Sequence, residues 1–236
     1  MNRKAAGRAP ATINKEIQLL KHIVGKAIEW GKVYTNRIAD VKPLKVPPGR
    51  VRYLELDEVP RLLEACPSWL RPIVLIAAHT GLRLSEITNL ERSNVDKSNL
   101  LIVIDETKNG ERKAVPMNHT VWATIRGLPT RLDTAYLFAE ADGRQVDSKK
   151  VSVAFGRACT RAGIADFRFH DLRHHFASHL TMKGHNLKTV QELLGHKTVA
   201  MTVRYAHLSP EHLRRAVTDL DPDPAEKSVP NPAQNF

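Results

Sequence analysis

The stretch HDLRHHFASHL, residues 170–180, decides how this chain is read. At about 100° per residue, Leu172, Phe176 and Leu180 fall on one side of a helix and should face a core. His170, Arg173 and His174 fall together on a different side, with small Ala177 among them. A histidine and a guanidinium one turn apart, on a face that is not the hydrophobic one, suit the binding of an anion. Taken alone, that face reads as a solvated polar surface. Its meaning comes from four other segments.

HTGLRLSE, residues 79–86, sets Arg83 just after a glycine turn, near a helix start. TKNG, residues 107–110, sets Lys108 at the lip of a hairpin, because Asn-Gly between two β-rich runs is a strong turn signal. LGH, residues 194–196, ends a helix at a glycine and presents His196. TVRYAH, residues 202–207, places Tyr205 nine residues after His196. Together these residues suit attack on a phosphodiester. Guanidinium forks bind the non-bridging oxygens, imidazole and ammonium groups move protons, and a phenol can be the nucleophile. Lys113, on the same hairpin, stays open as an alternative to Lys108. Of the four tyrosines, Tyr34 and Tyr53 lie near a linker and Tyr136 reads as strand core, which leaves Tyr205 nearly unopposed. His174, His175 and His207 read as packing or solvent residues.

Composition narrows the classes around this core. With 236 residues, 42% of them hydrophobic, the chain can bury a sizeable core. No apolar run reaches the ~18 residues that would span a bilayer, and MNRKAAGRAP lacks the apolar block of a signal peptide. Cys66 and Cys159 are the only cysteines; they make no disulfide framework or zinc ribbon and fit a reducing cytoplasm. The net charge of +11 favours a polyanionic partner, most simply nucleic acid. Residues 1–52 carry twelve Lys/Arg against Glu16, Glu29 and Asp40, so most of the excess lies there. That segment reads either as a solvated, frayed arm or as a phosphate-tracking surface. There is no GxxxxGK[ST], HExxH or CxxC. Eight of the eleven histidines lie between 170 and 212, and His170/His174 and His175/His179 have i,i+4 spacing. Further ligands are not evident, and Asp171 and Glu192 are too scattered for a two-metal site. No metal and no cofactor is expected.

Periodicity and punctuation predict a mainly α fold with one small antiparallel β-sheet (α+β). A helix capped by Thr12 runs to Ile28, and Lys42 to Arg50 reads as a linker. Helices follow from Asp57 to Ala65, Trp69 to His79 and Leu84 to Leu90. Strands are expected at Leu100–Ile104, Arg112–Val115 and Tyr136–Phe138. Further helices are expected from Asn118 to Arg126, from Asp147 to Ala162, and at about 171–183, 187–194, 199–207 and 210–218. The proline-rich end reads as a disordered tail.

HTGLRLSE (79–86), TKNGERKAVPM (107–117), HDLRHHFASHL (170–180) and LLGHKTVAMTVRYAHLS (193–209) resemble, in order and spacing, the catalytic domain of the tyrosine recombinase (phage integrase) family. The resemblance covers about residues 53–209. It implies a site-specific DNA recombinase in which Arg83 and Arg173 clamp the scissile phosphate and Tyr205 forms a 3′-phosphotyrosine. Lys108 would protonate the leaving 5′ oxygen, His170 assist proton transfer to and from the tyrosine, and His196 donate a hydrogen bond to phosphate. Glu86 would brace its helix. The implied organisation is a partial helical core-binding segment and linker at 1–48, a catalytic domain at 49–218 and a tail at 219–236. The partner would be double-stranded DNA, with self-association on it as a tetramer, no membrane and no small-molecule cofactor. The setting would be the cytoplasm of a bacterium or phage host, at the nucleoid. The alternative is a non-catalytic DNA-binding remnant of such an enzyme.

Overall fold

Helix α1 (Pro10–Glu29) opens the described chain and starts two residues before Thr12. Pro10 lies in its first turn, where the missing N–H is harmless and the fixed φ already suits a helix. The computed structural model describes residues 7–47, 49–104, 112–209, 217, 218 and 220. Residues 1–50 and 51–236 form two compact units. Within the first, the amide of Asn14 accepts from the Leu44 backbone N–H at 2.7 Å and donates to the Leu44 carbonyl at 2.8 Å. Of the apolar residues on α1, Ile13 is buried, whereas Leu20 and Ile28 are exposed.

The second unit begins with α2 (Glu58–Ala65), α3 (Arg71–Thr80) and α4 (Leu84–Thr88). Asp57 precedes α2 without a side-chain cap. Instead Glu58 Oε2 accepts from the Glu55 backbone N–H at 2.8 Å. Three antiparallel strands follow in the order β1 (Val95–Asp96), β2 (Leu101–Ile104), β3 (Lys113–Pro116). Ile102 pairs with Val115, and both are buried. The pleat therefore also turns Lys113, two residues before Val115, inward. The two-residue β1 escapes sequence reading because it is too short to show alternation.

Helices α5 (His119–Arg126), α6 (Ser148–Arg161), α7 (Asp171–Met182) and α8 (Leu187–Leu194) complete the helical part. Asn118 and Asp147 cap α5 and α6 by accepting from Val121 and Lys149 backbone N–H groups. Leu54, Leu62, Ile73, Ile87, Phe155 and Leu172 belong to the main core. A smaller cluster holds Ala177, Val190, Leu194 and Tyr205.

Three expectations need correction. Residues 199–207 do not form an α-helix; two 3₁₀ segments, Val199–Met201 and Val203–Leu208, occupy the region. Tyr136 to Phe138 is no strand: Tyr136 makes an isolated bridge to Glu91 and is only half-buried, while Leu137 and Phe138 turn into the core. Of the α7 residues expected to face the core, Leu172 is buried but Phe176 and Leu180 are only half-buried, while Arg173 and Ala177 on the other side are buried. The tip of the β2–β3 hairpin, the helix expected at 210–218 apart from its last two residues, and the tail apart from Leu220 lie outside the described residues. Among the described residues no helix is long and apolar enough to cross a membrane.

Candidate active site

Helix α3 ends at Gly81, whose φ of +63° is the left-handed turn that lets the chain double back into α4. A Cβ there would stand 2.5 Å from Phe176 Cδ1, so only glycine lets this turn lie against α7. The freed Gly81 carbonyl accepts from Arg173 Nη1 at 2.7 Å. Arg173 Nη2 donates at 2.5 Å to the carbonyl of Leu194, the last residue of α8. Both acceptors lie at the ends of helices, where carbonyls lack intrahelical partners. The guanidinium, 4% exposed, is thus gripped from inside on two of its five N–H groups. Burial, reinforced by the nearby Arg83 charge, lowers it to about 10, so it stays cationic at neutral pH.

Arg83 occupies the N-cap of α4, and Glu86 is three residues further on. The Glu86 carboxylate accepts from the Arg83 backbone N–H at 2.8 Å and from its Nη1 at 2.6 Å. This is the reach-back of a capping box, with a guanidinium fixed by the same carboxylate. Burial pushes the Glu86 carboxyl up, but Lys113 and Arg83 overcome that and hold it below its ordinary value. Lys113 lies behind this pair, 7% exposed. Its Nζ donates to the Leu194 carbonyl at 3.3 Å and stands 4.0 Å from Glu86 Oε2. Burial lowers it to about 8, with Arg173 and Arg83 adding to the shift against Glu86.

Past the left-handed Gly195, His196 Nδ1 lies 2.9 Å from Thr202 Oγ1, and Gln191 Nε2 donates to the His196 carbonyl at 2.9 Å. Burial and the charges of Arg173 and Arg83 lower the imidazole to about 4, which keeps it neutral. Tyr205, 1% exposed, packs with Ala177 and Leu194. Its phenol oxygen lies 2.6 Å from His174 Nδ1. Burial pushes the phenol up, against the pull of Arg204 and Arg173. His170 begins α7 on the exposed side, its ring edge-on to His174 at 5.4 Å. Partial desolvation and Arg173 lower its imidazole.

Arg83, His170, Arg173, His196 and Tyr205 therefore share one neighbourhood, in which the Arg83 and Arg173 charges both bear on His170 and His196. Lys108 lies outside the described residues. Two residues contribute more to the site than the sequence alone indicates. His174 is not a packing or solvent residue but the hydrogen-bond partner of the phenol. Its signal was its place beside Arg173 and Ala177 on the helical wheel. Lys113 is an inward lysine at the site, signalled by the alternation that places it on the Val115 face. His175 is a packing residue as expected: it is buried and accepts from the Leu54 backbone N–H at 3.2 Å. Among the described residues no three His, Cys, Asp or Glu side chains group as a metal site requires.

The profile of the phage integrase family matches residues 52–212. The chain is 33% identical over 230 residues to the integrase of Salmonella phage P22, covering 90% of this chain and 58% of that one. It is 36% identical over 184 residues to the tyrosine recombinase XerA of Thermococcus kodakarensis, covering 75% and 65%. The chain thus spans about three fifths of the length of these curated relatives. A lambda integrase dimer bound to a COC′ core site shares the fold, with a TM-score of 0.69 and 24% identity over 81% of this chain and 74% of that one. The crystal structure of XerA recombinase matches with a TM-score of 0.61 and 27% identity, over 91% and 84%. With the motifs in order, the fold matched and two thirds of its length under one family profile, this chain belongs to the phage integrase family.

Proposed function

We propose that the chain is a tyrosine-type site-specific recombinase that cleaves and rejoins double-stranded DNA. The observation that carries this is Arg173, a buried guanidinium held by two helix-end carbonyls, beside a phenol already docked on an imidazole. In this reading Arg173 and Arg83 hold the non-bridging oxygens of one phosphodiester, and the carboxylate of Glu86 keeps Arg83 in place. Tyr205 Oη attacks phosphorus, the bond to the 5′ oxygen breaks, and a 3′-phosphotyrosine forms. Lys108 protonates the 5′ oxygen, and His196 donates a hydrogen bond to a phosphoryl oxygen as charge develops. His170, exposed at the start of α7, assists proton transfer. The covalent bond conserves the phosphodiester energy, so attack by a 5′-hydroxyl of another duplex reverses the step without a nucleotide cofactor.

Relatives support the partner and the assembly. The lambda integrase is solved as a dimer on a core site and as a tetramer on a Holliday junction. By analogy, copies of this chain assemble as a tetramer on DNA in the cytoplasm, at the nucleoid. Residues 1–48 act as a partial core-binding segment, 49–218 as the catalytic domain and 219–236 as a tail. The test is a covalent adduct. Nicked duplexes with a randomised central segment are incubated with the protein in chelator and run on a denaturing gel. Wild type forms an adduct, and Tyr205→Phe forms none while retaining DNA binding, since phosphate contacts elsewhere supply affinity. DNA binding without an adduct from wild type marks a non-catalytic remnant instead.

A further inference from the structure

The resemblance assigns the tyrosine's proton to His170, but the structure places a different imidazole on the phenol. His174 Nδ1 is 2.6 Å from Tyr205 Oη. Among the described residues no hydrogen bond joins His170 to that oxygen. We propose that His174 receives the Tyr205 proton as the phenol oxygen attacks phosphorus, and returns it when the strand is rejoined. This rests on the strand-cleavage reading above.

Geometry and charge carry the inference together. Tyr205 is buried, which favours its protonated form, and we assign its O–H as the donor and His174 Nδ1 as the acceptor. That fixes the histidine as the Nε2–H tautomer in the resting site, an assignment made from the hydrogen bond. His174 is neutral at rest, lowered to about 4 by burial and by His170, Arg204 and Arg173, with Asp171 opposing. A neutral imidazole has the lone pair that a proton acceptor needs. An incoming phosphodiester adds negative charge to the site, which raises the imidazole from its resting value when the proton must move. The packing aims the lone pair: Tyr205 and Ala177 lie in one cluster, and Ala177 is one turn beyond Arg173 on α7. The helix that seats the phosphate-binding guanidinium therefore also seats the acceptor.

The step balances. In cleavage the Oη–phosphorus bond forms, the phosphorus–O5′ bond breaks, the Oη proton goes to Nδ1, and the 5′ oxygen takes its proton from the acid on the hairpin. In rejoining, the 5′-hydroxyl returns its proton to that same acid as the phosphorus–O5′ bond forms, the Oη–phosphorus bond breaks, and Oη leaves carrying the proton held on Nδ1.

The full chain with substitutions at position 174 tests this, on sequences recovered as wild-type adducts from the randomised nicked duplexes. His174→Gln keeps a hydrogen-bond acceptor for the phenol but cannot take its proton. Single-turnover cleavage should fall on the order of 100-fold or more, the usual contribution of a positioned base. A trifluorinated tyrosine at position 205, whose phenol is more acidic, should restore most of that loss in His174→Gln. It should not rescue Arg173→Lys, whose defect lies in phosphate binding. A structural role for His174 predicts no such selective rescue. Wild-type cleavage by His174→Gln, or a defect that the acidic phenol leaves untouched, overturns the inference and leaves the recombinase reading standing. Absence of any wild-type adduct overturns both.

Discussion

Gly81→Ala should injure fold and site through one turn, and by an amount that can be worked out. The left-handed φ of +63° costs a residue with a Cβ about 1–2 kcal/mol, partly offset by the reduced freedom of the unfolded chain. The new Cβ would also stand 2.5 Å from Phe176 Cδ1 and 2.8 Å from Leu194 Cδ2. Relieving such overpacking typically costs about 1–3 kcal/mol. Gly163→Ala is the matched control: its φ is +68° and a Cβ there meets nothing within 4 Å. It should lose about 1 kcal/mol, and Gly81→Ala about 2–4 kcal/mol. At roughly 2–4 °C per kcal/mol for a unit of this size, the melting temperature falls about 2–4 °C in the control and about 5–15 °C at Gly81. Thermal unfolding by circular dichroism measures both. Because the Gly81 carbonyl anchors Arg173, adduct formation should also drop in Gly81→Ala at temperatures where it is fully folded. Melting temperatures within about 1 °C of each other would refute the claim that this turn is jammed against α7 and α8.

Arg173→Lys should slow single-turnover cleavage by about 100-fold or more despite keeping the charge, because a single ammonium cannot reproduce a planar two-point contact. A rate within about threefold of wild type would remove Arg173 from the phosphate. Lys113 offers a pH test. It titrates near 8 when folded against 10.5 for a free lysine. Between those values the unfolded chain holds a proton that the folded chain has released, so stability rises with pH across that window. Relative to Lys113→Met, wild type should gain up to about 3 kcal/mol from pH 8 to 10.5. Urea titrations of both proteins at the two pH values measure this, and parallel pH dependences would mean that Lys113 is not desolvated.

The legible parts of this fold are those specified by local chemistry. Asn118 and Asp147 cap α5 and α6 with their own side chains, and Gly81 and Gly195 stop α3 and α8 with left-handed turns, so these ends show in the sequence. The segment around Tyr205 misleads because Val199, Met201 and Val203 suggest an apolar helix yet are exposed. The residues turned inward are Thr202 and Tyr205, three apart, which is the repeat of a 3₁₀ turn. The His174–Tyr205 contact joins residues 31 positions apart, and the Lys113–Leu194 contact joins residues 81 apart. No local pattern encodes such pairs. Alternation does indicate that Lys113 points inward, but a buried ammonium makes sense only once the end of α8 is found beside it.

The two carbonyls that grip Arg173 have an electrostatic consequence. Each terminates a helix, α3 at Gly81 and α8 at Leu194, and a helix C-terminus carries roughly half a negative charge. Two such ends converge on one guanidinium, and the second also takes the Lys113 ammonium. The backbone thereby supplies about one unit of counter-charge in addition to the Glu86 carboxylate, and it cannot be protonated away. Cations that repel one another are thereby held together, with their charge offset in part. In the recombinase reading, an approaching phosphate would meet donors already aimed, with little rearrangement required at the moment of reaction.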